Sequence, residues 1–133
     1  MFDLPLIFND WAWLILRVVF GIVFVAHGKR KLFGGLPSTA QFFASIGLKP
    51  AKFWAIIVGL TEFFGGILVI LGLFTQWAAL LLGVVMLVAM LKVKLKKGFI
   101  DGYEFDLLLL ACAIALFVLG GGKVSLDQQL FSR

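Results

Sequence analysis

The stretch Phe53 to Phe74, FWAIIVGLTEFFGGILVILGLF, decides the fold. Its 22 residues carry one charge, Glu62. As a helix rising about 1.5 Å per residue the stretch covers roughly 33 Å, enough for a hydrocarbon core of about 30 Å. Three further apolar stretches, Trp11 to His27, Trp77 to Val93 and Tyr103 to Leu119, have 17 residues each. They give roughly 26 Å apiece, near the short limit for a span. Trp11 and Trp13, Phe53 and Trp54, Trp77, Phe99 and Tyr103 stand at the ends of these stretches, where aromatic side chains suit the interface.

Composition agrees with this reading. Of 133 residues 62% are hydrophobic and 14% charged, with mean hydropathy +1.11, whereas a soluble domain carries about 25% charged residues. The expectation is a single domain over residues 1–133. It is an all-α integral membrane four-helix bundle, with helices at about 11–27, 53–74, 77–93 and 103–119. One histidine and one cysteine cannot build a bis-histidine haem, a two-cysteine redox centre or a multi-ligand zinc site, so no metal or haem is expected. Met1 to Asn9 has no basic residue and reads as no cleaved signal peptide.

Local signals punctuate the spans. Asp10 is placed to cap the first helix, Pro50 suits the first turn of the second, Thr75 follows the Gly72 break as cap of the third, and Asp101 caps the fourth. Ser38 with Gln41 reads as a capping box for a short interfacial or re-entrant helix over Ser38 to Ile46, between the first two spans.

Lysines set the orientation. The loops 28–52 and 94–102 and their flanks carry nine Lys and Arg residues, against Lys123 and Arg133 on the other side. The positive-inside rule then makes both loops cytoplasmic and puts both termini outside, in a bacterial or archaeal cytoplasmic membrane. The net charge of +5 is a topology signal with anionic lipid as its natural partner, and no nucleic acid is expected.

Ionisable groups inside hydrocarbon remain, and these are functional candidates by default. Arg17 and Glu62 are the two, and depth along their helices suggests that the arginine could reach the carboxylate. Gly21, Phe24, Gly28 and Lys31 share the face of Arg17; Ala55, Gly59 and Gly66 share that of Glu62. Such small-residue faces admit a close helix or a planar ligand, and would suit a homo-oligomer. At the other end His27, Lys31, Tyr103, Glu104 and Asp106 could form a second polar layer, with Asp106 alternatively pairing with a loop lysine. Cys112 reads as a small packing residue.

The order Arg17 and Gly21, His27-Gly28 with Lys31-Leu32-Phe33-Gly34-Gly35, Phe42-Phe43-Ala44 with Gly47-Leu48, Glu62 with Gly65-Gly66, Leu71-Gly72-Leu73-Phe74-Thr75, Gly102-Tyr103-Glu104 and Ser125-Leu126-Asp127 closely resembles the DoxX family of small four-helix membrane proteins. The resemblance covers almost the whole chain. It implies polar positions at Arg17, His27, Lys31, Glu62, Tyr103 and Glu104, and relatives that include a subunit of a thiosulfate:quinone oxidoreductase. Two departures stand out. Gln76 replaces an arginine frequent after the threonine, and Gly121-Gly122 lacks an expected proline.

The expected function is a quinone-linked membrane oxidoreductase subunit. Arg17 and Glu62 would act on a quinone held between the first, second and fourth spans, and His27, Lys31, Tyr103 and Glu104 would assist in binding it. Electrons would come from a soluble or membrane redox partner. The competing expectation is a non-catalytic scaffold or chaperone module, with Arg17–Glu62 as a structural clamp. A small-solute or proton transporter ranks last, because it needs more polar groups along the depth.

Overall fold

A computed structural model describes residues 7–131. Its helices are α1 (Ile7–Leu32), α2 (Leu36–Ser45), α3 (Ala51–Leu71), α4 (Thr75–Ala89), α5 (Glu104–Leu119) and α6 (Leu126–Phe131). A π turn, Met90–Lys94, and a 3-10 turn, Leu95–Lys97, prolong α4 to Gly98. Phe99–Tyr103 then leads into α5 through the non-helical Ile100, Asp101 and Gly102. Four helices are long and apolar enough to cross a membrane: Phe8–Leu32, Ala51–Leu71, Thr75–Lys97 and Phe99–Leu119, of 25, 21, 23 and 21 residues. The chain is therefore an all-helical membrane four-helix bundle. Three of its spans are longer than the expected 17, among them α1, which continues through Lys29 to Leu32, and the α4 helix, which runs on through its lysines. Long basic side chains can leave the bilayer along their stems, so a lysine run need not end a helix.

Neighbouring helices run antiparallel in the order α1, α3, α4, α5. α1 packs along α3 and α5 along α4, α3 joins α4, and α1 and α5 touch only sparingly. Phe20 and Phe24 of α1, Val69 of α3, Ala78, Ala79, Leu82 and Met86 of α4, and Leu109, Ala113 and Leu116 of α5 form the shared core. The outer faces are apolar and open, as at Ile15, Trp77, Leu108 and Val118. In water this would be a fault; in lipid it is the solvent-facing surface. Hereafter the end holding α2 and the lysine-rich turns is the basic end, and the end holding α6 the terminal end.

The structure corrects the expected caps. α3 stops at Leu71 rather than Phe74, because Gly72 takes φ 70° and closes a Schellman turn: Leu73 N donates to Leu68 O at 2.9 Å and Gly72 N to Val69 O at 3.1 Å. Thr75 does not cap α4, since its Oγ1 is buried with no hydrogen-bond partner. Asp127 caps it instead, accepting from Phe74 N at 2.6 Å and Thr75 N at 2.9 Å. Pro50 is the N-cap of α3 rather than a first-turn residue. Ser38 forms no capping box: α2 starts earlier, at Leu36, and Ser38 Oγ donates to Gly35 O. α2 ends before Gly47, as expected, and buries Phe43. Asp101 lies at φ 56° in the loop and donates its N–H to Glu104 Oε1 at 3.2 Å, so the cap runs the opposite way. Asp10 falls in the first turn of α1.

The Asp127 cap carries a prediction. Asp127→Ala removes both acceptors from the α4 N-terminus and is expected to cost about 1–2 kcal/mol, with faster hydrogen exchange at Phe74 and Thr75. Asp127→Asn, which keeps one acceptor oxygen, should recover part of the loss in the same exchange measurement.

Candidate functional site

The α1–α3 interface is built on glycine. A Cβ on Gly21 would lie 2.7 Å from Gly66 O, one on Gly66 2.7 Å from Gly21 O, and one on Gly28 2.4 Å from Phe63 N. The two backbones are therefore in direct contact along this seam, and the small-residue faces read from the sequence are filled by each other. They leave no room for a ring between these two helices.

Across that interface Lys31 Nζ donates to Glu62 Oε2 at 2.7 Å and to Oε1 at 2.9 Å. Glu62 lies near the middle of α3 and is 1% exposed, while the Lys31 side chain is 23% exposed. Helix geometry explains the pairing. Each Cα–Cβ bond leans toward its own helix N-terminus. On antiparallel helices Lys31 therefore leans inward from the basic end, and Glu62 leans toward that end to meet it.

The same rule separates Arg17 from Glu62. Arg17 lies fourteen positions before Lys31 on α1, about 21 Å farther along, and its side chain leans toward the terminal end. The expected Arg17–Glu62 clamp is absent. Arg17, 2% exposed, donates to the carbonyls of Gly121, of Val124 at 2.8 Å and of Ile70 at 3.4 Å. Asp127 supplies the opposing charge that acts on it. Trp13 Nε1 donates to Gly120 O at 3.0 Å and Asp127 N to Gly72 O at 2.8 Å. Together these bonds fasten the segment 120–131 across the ends of α3 and α4. Arg17 thus closes the terminal end of the bundle.

The other residues of the expected layer divide. His27 is exposed on α1, with its ring 6.2 Å from that of Phe105, and Lys31, Glu62, Arg30 and Asp106 act on it electrostatically. It thus stands beside the ion pair. Asp106 is 6% exposed and its Oδ2 is buried with no hydrogen-bond partner, so the expected pairing with a loop lysine does not form. Glu104 is used locally, holding the Asp101 amide. Tyr103 is the N-cap residue of α5 and packs edge-on against Phe99, 5.2 Å between ring centroids. The structure therefore brings together Lys31, Glu62, His27 and Asp106, and leaves Arg17, Tyr103 and Glu104 in other places.

This arrangement can hold and exchange protons inside the bilayer. An imidazole stands beside an ammonium–carboxylate pair, and the Asp106 carboxyl group acts on that imidazole, at a depth where each is costly without a partner. Cys112 is the one free cysteine among the described residues.

The DoxX profile matches residues 12–95, more than half of the chain and all of the Lys31–Glu62 site. The chain is 42% identical over 118 residues to a Bacillus subtilis (strain 168) protein named "Putative oxidoreductase CatD", covering 89% of this chain and 86% of that one. It is 33% identical over 131 residues to "Uncharacterized membrane protein Rv3486" of Mycobacterium tuberculosis (strain ATCC 25618 / H37Rv), covering 89% and 80%. No solved structure matches it. Four membrane-length helices, a profile match over most of the bundle and two relatives matched along most of their length lead to one assignment: this chain belongs to the DoxX family.

Proposed function

We propose that the chain is the quinone-linked membrane subunit of an oxidoreductase, with Lys31, Glu62 and His27 as its working groups. The buried Lys31–Glu62 pair beside His27 carries this reading, and the name of the Bacillus relative supports it. A quinone would supply the two-electron, two-proton chemistry that the side chains lack, and a partner protein would supply the electrons.

The packing limits where such a group fits. The α1–α3 face excludes a ring, because its glycines meet backbone atoms. His27 and Phe105 are exposed toward the bilayer at the sparsely packed α1–α5 seam, so a planar group reaches His27 from the lipid side. Lys31 holds Glu62 in place, and His27, the imidazole at the edge of the layer, is the group suited to give and take protons there. The lysine-rich end faces the cytoplasm in this reading, which puts the layer near the cytoplasmic surface.

The test is electron transfer in isolated membranes, with a short-chain benzoquinone as acceptor. Relative to a deletion strain, wild type is expected to raise quinone reduction with at least one cellular donor. His27→Phe and Glu62→Gln should each lower that gain about tenfold or more, and Arg17→Met should leave the turnover of the folded protein near wild type. Equal rates in wild type and deletion strain would refute the reading. A second reading, a scaffold clamped by Lys31–Glu62, is favoured by the close α1–α3 backbone contact. It predicts that these substitutions change stability with no change in quinone reduction.

A further inference from the structure

Asp106 is the one carboxylate of the layer left with an unsatisfied oxygen. It sits in the first turn of α5, 94% buried, and Oδ2 has neither a hydrogen-bond donor nor solvent. An acceptor in that state inside a bilayer costs free energy that a bound donor would return. The groups facing it limit what the donor can be. Lys31 already gives two hydrogen bonds to Glu62. His27 comes from α1, and its ring faces Phe105, the residue preceding Asp106. Phe105 is 45% exposed on the lipid side, at the α1–α5 seam, where the two helices touch only sparingly. An aromatic wall, an imidazole and a dry carboxylate thus stand together at a lateral seam.

We propose that the α1–α5 seam at the basic end binds the hydroxylated ring of a lipid-soluble phenol or hydroquinone. The ring lies against Phe105 and His27, and its hydroxyl donates to Asp106 Oδ2. Asp106 selects for the hydroxyl, because an analogue without one leaves the buried oxygen unpaired. Entry needs a local opening of the seam, because Oδ2 is closed to water. In a redox cycle this site favours the reduced, hydroxyl-bearing form of a carrier. The proposal deepens the oxidoreductase reading by adding a binding residue to the same layer, and it is tested by binding alone.

The experiment uses the full chain in lipid nanodiscs and two probes, a 4-alkylphenol and its methyl ether, with affinity read by microscale thermophoresis. Wild type is expected to bind the phenol about tenfold or more tightly than the ether. Asp106→Leu should abolish that preference by weakening phenol binding, and a diazirine-bearing phenol should label peptides of α1 and α5. Equal affinity of wild type for phenol and ether overturns the proposal, as does a phenol preference that survives in Asp106→Leu or labelling confined to other helices. The wild-type comparison stands even where a variant fails to fold. Phenol selectivity without quinone turnover would sink the oxidoreductase reading alone. Turnover without selectivity would sink the Asp106 site alone.

Discussion

Lys31→Met is expected to be among the most damaging single substitutions in this chain. Glu62 is 1% exposed and both of its oxygens are taken by Lys31. Removing the ammonium strands a carboxyl group in the middle of α3, and breaking a buried pair from one side costs about 3–5 kcal/mol. Glu62→Met should cost less. The Lys31 side chain is 23% exposed and stands near the end of α1, so its ammonium can turn back toward the headgroups. Replacing both by methionine removes the stranded group and should restore most of the stability lost in Lys31→Met. Thermal unfolding in one detergent, followed by circular dichroism, gives all three values. The order expected is Lys31→Met least stable, then Glu62→Met, with the double variant close to wild type.

Arg17→Met is expected to release the terminal end. The guanidinium satisfies the carbonyls of Gly121, Val124 and Ile70, and hydrogen bonds from a charged donor are worth about 1.5–3 kcal/mol each. Their loss leaves three carbonyls unpaired near the membrane boundary, so the segment 120–131 should detach from the α3–α4 turn. Hydrogen exchange at Asp127 and Gln128, whose amides donate to Gly72 O and Ser125 Oγ, should rise by at least an order of magnitude. Exchange within α3 around Glu62 should stay slow. Proteolysis after Lys123 is the simpler assay, with cleavage expected only in the variant. Equal protection of the segment in both proteins would remove Arg17 from the role of fastener.

The span count, the membrane class and the helix faces were all legible in the sequence, since each follows from apolar run length and a 100° period. Arg17, Gly21, Phe24, Gly28 and Lys31 do share one face of α1, and Ala55, Gly59, Glu62 and Gly66 one face of α3. Pairing across those faces was not legible from depth alone. Depth along each helix pointed to Arg17 for Glu62, but the lean of side chains toward the helix N-terminus on antiparallel helices turns Arg17 away and Lys31 inward. That signal was present in the sequence once the topology had been assigned. The caps failed for a different reason. Local rules looked to Thr75 and Asp101 for the caps of α4 and α5, whereas the α4 cap comes from Asp127, more than fifty residues away. No local pattern encodes a bond between elements so far apart in the chain. The Ser125-Leu126-Asp127 run was the only trace of it. Asp106 entered the polar layer by its place at the start of the fourth span, but its burial depends on how α5 sits against its neighbours, which sequence position does not reveal.

The account turns on Lys31 being the partner of Glu62, and a pair of double-mutant cycles tests that most directly. Unfolding free energies in one detergent are needed for wild type, the methionine variants at 17, 31 and 62, and the doubles 31/62 and 17/62. A coupling of about 1.5 kcal/mol or more between Lys31 and Glu62, with Arg17 and Glu62 additive within about 0.5 kcal/mol, is the predicted result. Strong coupling between Arg17 and Glu62, with Lys31 and Glu62 additive, would contradict it.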